Sequence, residues 1–103
     1  MIKVSVFYAN GEGMRFDMNY YCEKHMPLVR RLCGAAVKGI AVEQGTSGGE
    51  PGSAPQFAAM GHIYFETVDA YRTAIGPHLN EILADIPNYT NIQPTIQISE
   101  VKI

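Results

Sequence analysis

The hydrophobic residues change their repeat along the chain in a fixed order: two, about 3.6, two, two, about 3.6, two. That order limits the fold more than any single motif does. Ile2, Val4, Val6 and Tyr8 alternate with Lys3, Ser5 and Phe7, as in a strand with one strongly apolar face. Ala9 to Gly13 is turn material, and Asp17 is a suitable N-cap for the next element. From there Met18, Tyr21, Cys22, His25, Leu28, Val29 and Leu32 recur at helical spacing, with Gly34 as the stop. Pro27 falls inside this helix, where it removes a backbone donor and should kink the helix or free the Glu23 carbonyl.

Val37 to Glu43 reads as a second strand and Phe57 to Phe65 as a third, with Ala58, Met60, His62 and Tyr64 on one face. Residues 44–56 between them are mostly Gly, Ser and Pro, a mobile loop between strands that could be a lid or an inert hairpin extension. Thr67 caps a second helix through Val68, Tyr71, Ala74 and Ile75; Gly76-Pro77 interrupts it, and a renewed segment runs to about Asp85. Pro87 to Asn91 is a turn cluster, and Pro94 to Ile103 is a final strand. The expected architecture is α+β, a ferredoxin-like βαββαβ antiparallel sheet with two helices on one face, in one domain spanning residues 1–103. Two helices cover one sheet face only. The other carries Phe7 and either Thr95, Gln97, Ser99, Val101 and Ile103 or their alternates, and suits pairing with a second copy as a homodimer.

Composition removes several classes of function. A net charge of -2 over 103 residues leaves no basic footprint for nucleic acid or an anionic membrane surface. The longest apolar stretch, Phe57 to Phe65, is far too short for a membrane span, and the alternating N-terminus does not read as a signal peptide, so the expected compartment is the cytoplasm. Cys22 and Cys33 on one helix would lie roughly 16 Å apart, too far for a disulfide, and read as reduced, partly buried thiols. There is no dinucleotide fingerprint, P-loop, nucleophile elbow or metal-ligand spacing, so neither a cofactor nor a metal is expected.

The remaining chemistry lies with histidine and tyrosine. His25 is on the inward helix face, either as a structural group bonded to a backbone carbonyl or as a site residue beside the Pro27 irregularity. Tyr21 is four residues earlier on the same face, and a His–Tyr pair in an apolar pocket can move a proton and polarise a carbonyl without a cofactor. His62 could converge with His25 or lie in a dimer interface, depending on which way its strand faces. His78 follows Gly76-Pro77 near a helix start, where the dipole keeps the ring neutral; it is a base or an exposed capping residue.

Three runs stand out: Phe16-Asp17-x-x-Tyr20-Tyr21-x-x-x-His25-Met26-Pro27-Leu28, then Asp85-Ile86-Pro87-Asn88-Tyr89-Thr90, and then Gln93-Pro94-x-Ile96-Gln97-Ile98-Ser99-Glu100. Together they resemble the EthD family, named for ethyl tert-butyl ether degradation. The resemblance covers essentially the whole chain. It implies a dimeric α+β barrel whose wider relatives include muconolactone isomerases, polyketide cyclases and cofactor-independent monooxygenases, acting on apolar or aromatic ligands between sheet and helices. His25 is the family's recurring histidine by motif position, with Tyr21 in the same motif. The expectation is a cofactor-free protein of aromatic or hydrophobic-compound catabolism, doing acid/base chemistry on a small apolar carbonyl substrate, with His25, Tyr21 and His78 catalytic. Tyr64, His62, Asn88, Tyr89 and Leu28 are expected to bind substrate. The alternative is a non-catalytic carrier of a hydrophobic small molecule beside an oxygenase.

Overall fold

The computed structural model describes residues 1–103. Strands β1 (Ile2–Ala9), β2 (Gly39–Gln44), β3 (Phe57–Phe65) and β4 (Thr95–Glu100) form one antiparallel sheet in the order β2-β3-β1-β4. This is the ferredoxin-like order expected from the repeat pattern. The last strand stops at Glu100, so Val101 to Ile103 leave the ladder earlier than the alternation suggested.

Helix α1 (Met18–Tyr20) starts at Asp17, whose carboxylate accepts from the Tyr20 N–H at 3.0 Å. A π-helical turn over Tyr21–His25 follows, and α2 (Met26–Cys33) completes the first helical arm up to Gly34, which ends it at φ 61°. The π turn is how the chain accommodates Pro27. The Met26 N–H reaches back to the Tyr21 carbonyl, and the proline falls in the first turn of α2, where no donor is needed. The extra residue also shifts the phase of the buried stripe. Tyr21, His25, Met26, Val29 and Cys33 are buried, whereas Cys22 is exposed and Leu28 only half-buried, contrary to the straight-helix reading.

The second arm begins at Thr67, whose hydroxyl accepts from the Ala70 N–H at 3.0 Å. It consists of α3 (Val68–Ile75), a 3-10 turn at Gly76–His78, α4 (Leu79–Asp85) and a further 3-10 turn at Ile86–Asn88. Both arms cover the sheet face bearing Val4, Val6 and Tyr8, and the core of Ile2, Val4, Tyr21, Val29, Ile63, Phe65 and Ile82 lies between the layers.

The Gly-rich loop carries backbone hydrogen bonds of its own. Its Gly48 and Ser53 N–H groups donate to Ser53 and Glu50 carbonyls at 3.0 and 3.1 Å, and Asn10 ties Pro55 at 3.0 Å. The loop lies beside Asn10 and Met14, away from the helix–sheet cleft.

Candidate active site

Two segments distant in sequence meet at one end of the helical layer. The Asp17 N–H donates to the Tyr89 carbonyl at 2.7 Å, Phe16 pairs with Thr90, and the Arg15 guanidinium donates to the Pro87 carbonyl at 3.0 Å. These bonds bring the start of the first arm against the end of α4, so the imidazole of His25 meets the carboxylate of Asp85. His25 Nδ1 and Asp85 Oδ2 are 2.9 Å apart. Asp85 Oδ1 accepts from the Tyr20 hydroxyl at 2.6 Å and from Asn88 Nδ2 at 3.0 Å.

The carboxylate sits at the last position of α4, where the helix dipole disfavours an anion. Burial pushes its pKa up, but the donors from Tyr20, His25 and Asn88 outweigh burial and hold it below the usual carboxylate range. Burial has the opposite effect on His25. It lowers the imidazole pKa, and the nearby carboxylate offsets that only in part. The pair is therefore an ionised Asp85 accepting from a neutral ring. That bond fixes the proton on Nδ1 and leaves Nε2 bare as an acceptor. Every fully buried side-chain nitrogen and oxygen has a partner, and Nε2 has none in the protein, so it is reached from open space.

His25 lines an apolar cavity between the sheet and the helices, with a volume of about 80 Å³. Its walls include Val4, Val6, Met26, Val29, Ile63 and Ile82, and the side chains with polar atoms among its lining are Tyr8, Tyr21, Tyr71 and His25. At its mouth Leu79, Leu83 and Ile96 are 43%, 47% and 51% exposed. The enclosed part fits the reacting end of a small molecule, and the apolar rim continues outward from it.

The rings around His25 hold it in place. Tyr21 stacks on it with centroids 5.6 Å apart and planes 12° from parallel, and Tyr89 abuts it at 4.7 Å. Tyr21 reaches the sheet because residue 61 is glycine. A Cβ there would collide with the Tyr21 hydroxyl and stand 2.8 Å from the Met26 methyl.

Tyr21 and His25 thus meet as the sequence predicts, and the other expected site residues are placed differently with respect to the cavity. His62 does not converge with His25, because β3 turns it to the open sheet face. There it bonds Ser5 Oγ through Nδ1 and Glu43 Oε1 through Nε2, each at 2.8 Å. Tyr64, two residues on, shares that face and is equally remote from the cavity. His78 is half-buried at the start of α4 but does not line the cavity. Leu28 faces an outer groove with Tyr20 and Arg31. Asn88 and Tyr89 are in the site, but as supports for Asp85 and His25 and not as cavity wall.

Asp85, Tyr20 and Tyr8 are the members that sequence reasoning passed over. A carboxylate at a helix C-terminus was the available sign for Asp85. No three His, Cys, Asp or Glu side chains gather as a metal site, and no helix is long and apolar enough to cross a membrane.

Together, a ferredoxin-like sheet, a helical layer and a histidine–carboxylate pair at the head of an apolar cleft define a small α+β cleft protein. The EthD domain profile matches residues 12–93, and the chain belongs to the EthD family. An EthD-like protein from Ralstonia eutropha JMP134 is 44% identical, with a TM-score of 0.95 over 99% of this chain and 92% of that one. An ethyl tert-butyl ether degradation family protein from Bacillus halodurans C-125 is 19% identical, with a TM-score of 0.68 over 99% of both chains. SnoaB, a cofactor-independent oxygenase from Streptomyces nogalater, shares the fold at 10% identity and a TM-score of 0.56, over 99% of this chain and 92% of SnoaB. No curated protein sequence matches the chain.

Proposed function

We propose that the protein is a cofactor-independent acid–base enzyme of hydrophobic-compound catabolism, acting on a small apolar carbonyl substrate in the cleft between sheet and helices. The observation that carries this reading is a neutral His25 that lines the cavity, with Nδ1 engaged by Asp85 and Nε2 without a protein partner. A buried structural histidine would have both nitrogens paired.

Nε2 takes a proton from the carbon alpha to the carbonyl as the electron pair of that C–H bond moves toward oxygen. It then returns the proton at the same or a conjugated carbon. Asp85 stabilises the transient imidazolium, and Tyr20 and Asn88 hold Asp85 in place. Tyr21 hydrogen-bonds the carbonyl oxygen, since burial keeps its phenol protonated and therefore a donor. A homodimer formed through the open face belongs to the same reading. Phe7 and Phe57, with rings 5.2 Å apart, supply apolar surface there.

The test is deuterium exchange alpha to the carbonyl in a panel of small apolar ketones and cyclic enones, read by mass spectrometry in heavy water. Wild type should catalyse exchange in at least one compound. His25→Gln should lose roughly 10²–10⁴-fold of the rate while keeping its fold. Exchange that is undiminished in a folded His25→Gln protein would overturn the reading.

A further inference from the structure

Three phenols lie together behind the cavity. Tyr89 is sealed from solvent, and its hydroxyl has one side-chain partner, the Tyr8 hydroxyl at 2.7 Å. A phenol sealed there has nowhere else to place its proton, and leaving a buried donor unpaired is costly. Tyr89 therefore donates and Tyr8 accepts, so the Tyr8 proton is not used in that bond. Tyr8 lines the cavity and so does Tyr21, whose hydroxyl lies close enough to that of Tyr8 to hydrogen-bond it. The three hydroxyls carry three protons, and their mutual contacts consume two at most. At least one phenolic proton therefore faces the cavity with no protein acceptor.

Two features mark this as a built arrangement. The Tyr21 hydroxyl occupies the place a Cβ at residue 61 would need, so glycine is what admits it to the group. The Tyr8 ring is also fixed edge-on to Phe16 and Tyr21, with centroids 4.8 and 5.5 Å away. A donor held in a low-dielectric cavity and polarised by a second hydroxyl behind it stabilises a developing negative charge without reorganising.

We propose that Tyr8, backed by Tyr89, is a second oxyanion donor beside Tyr21, and that the substrate's reacting oxygen is a neutral ketone oxygen that becomes an enolate. This rests on the acid–base reading above and names its substrate class. When Nε2 removes the alpha proton, the C–H bond breaks, the N–H bond forms, a C=C bond forms and the carbonyl π pair moves onto oxygen. Tyr8 and Tyr21 hydrogen-bond that oxygen without giving up their protons. No lysine or arginine lines the cavity, so a carboxylate would enter with no countercharge. Uncharged carbonyls carrying an alkyl or aryl group along the Leu79, Leu83 and Ile96 rim fit instead.

The experiment uses two probes of similar size, 4-nitrophenol and nitrobenzene, with wild type, Tyr8→Phe and Tyr89→Phe. Phenolate is read by its visible absorbance and nitrobenzene by quenching of tyrosine fluorescence. Wild type should bind the phenolate in preference to the phenol and also take up nitrobenzene. Tyr8→Phe should lose about 10- to 100-fold of phenolate affinity with nitrobenzene affinity unchanged. Tyr89→Phe, whose hydroxyl never touches the probe, should show a smaller loss of the same selective kind. Unchanged phenolate affinity in Tyr8→Phe, or equal loss of both probes, overturns the donor role and leaves the His25 reading standing. Failure of both probes to bind wild type overturns the cavity reading together with the inference.

Discussion

Asp85→Asn is the substitution on which the structure speaks most specifically. The carboxylate is largely buried, with its side chain 14% exposed, and accepts at 2.6 and 3.0 Å on Oδ1 and 2.9 Å on Oδ2. Asparagine keeps the shape and one acceptor oxygen, which serves Tyr20 and Asn88. Its amide nitrogen then faces His25 Nδ1 and must donate to it. The ring answers by moving its proton to Nε2, so the atom that should be a bare acceptor is blocked. Exchanging a charge-assisted bond for a neutral one costs about 1–2 kcal/mol of stability. At ~4–8 °C per kcal/mol for a chain of this size, Tm falls by roughly 5–15 °C. The imidazole pKa should drop further below 6.5, since burial remains while the carboxylate that partly offsets it is gone. Carbonyl-alpha exchange should slow by about 10²–10⁴-fold. The assays are thermal denaturation, ring-proton NMR against pH, and the exchange measurement. A folded Asp85→Asn protein with a raised His25 pKa, or with wild-type exchange, would refute the assignment.

Other outcomes follow from the same geometry. Because burial holds His25 below 6.5, the unfolded chain binds a proton that the folded chain refuses. Stability should therefore fall as pH drops from 6.5 through the folded pKa, and His25→Gln should flatten that limb of a Tm–pH curve. Asp85, held below 3.8, adds stability that is complete above 3.8 and lost as pH falls through its folded value, so Asp85→Asn should soften acid unfolding. Gly61→Ala drives a methyl into the Tyr21 hydroxyl and the Met26 methyl; urea unfolding should register a loss of about 1–3 kcal/mol, with weaker nitrobenzene binding. On the open face, Phe7→Glu should turn a dimer into a monomer by light scattering, and an unchanged mass would count against that interface.

The architecture was readable because it depends on repeats that survive local detail. Ile2 to Tyr8 alternate over their full length and β3 does so beyond the bulge opposite Tyr8 and Ala9, while Asp17, Gly34 and Thr67 mark helix ends by their own chemistry. The inward face of the first arm was readable only in part, with Tyr21, His25 and Val29 inward as the spacing has them. A π turn adds one residue to a helical repeat without changing residue types, so the sequence pattern places Cys22 and Leu28 inward where the chain buries Met26 and Cys33. The fate of His62 was undecidable from alternation, which gives two faces but not which one the helices cover. The β1–β3 register decides it by setting Ser5 opposite His62. His25 and Tyr21 could be found by spacing along one helix. Asp85 could not be joined to them, because the contact spans sixty positions and depends on backbone bonds at Phe16, Asp17 and Tyr89.

The central claim is that His25 is a neutral base with Nε2 open to an apolar cavity. It is tested most directly by long-range 1H–15N NMR of the histidine side chains in the wild-type protein, titrated with and without nitrobenzene. The account predicts the proton on Nδ1, a pKa below 6.5 and an Nε2 resonance that moves when the apolar probe binds. A proton on Nε2, or an Nε2 signal indifferent to a probe that demonstrably binds, would contradict it.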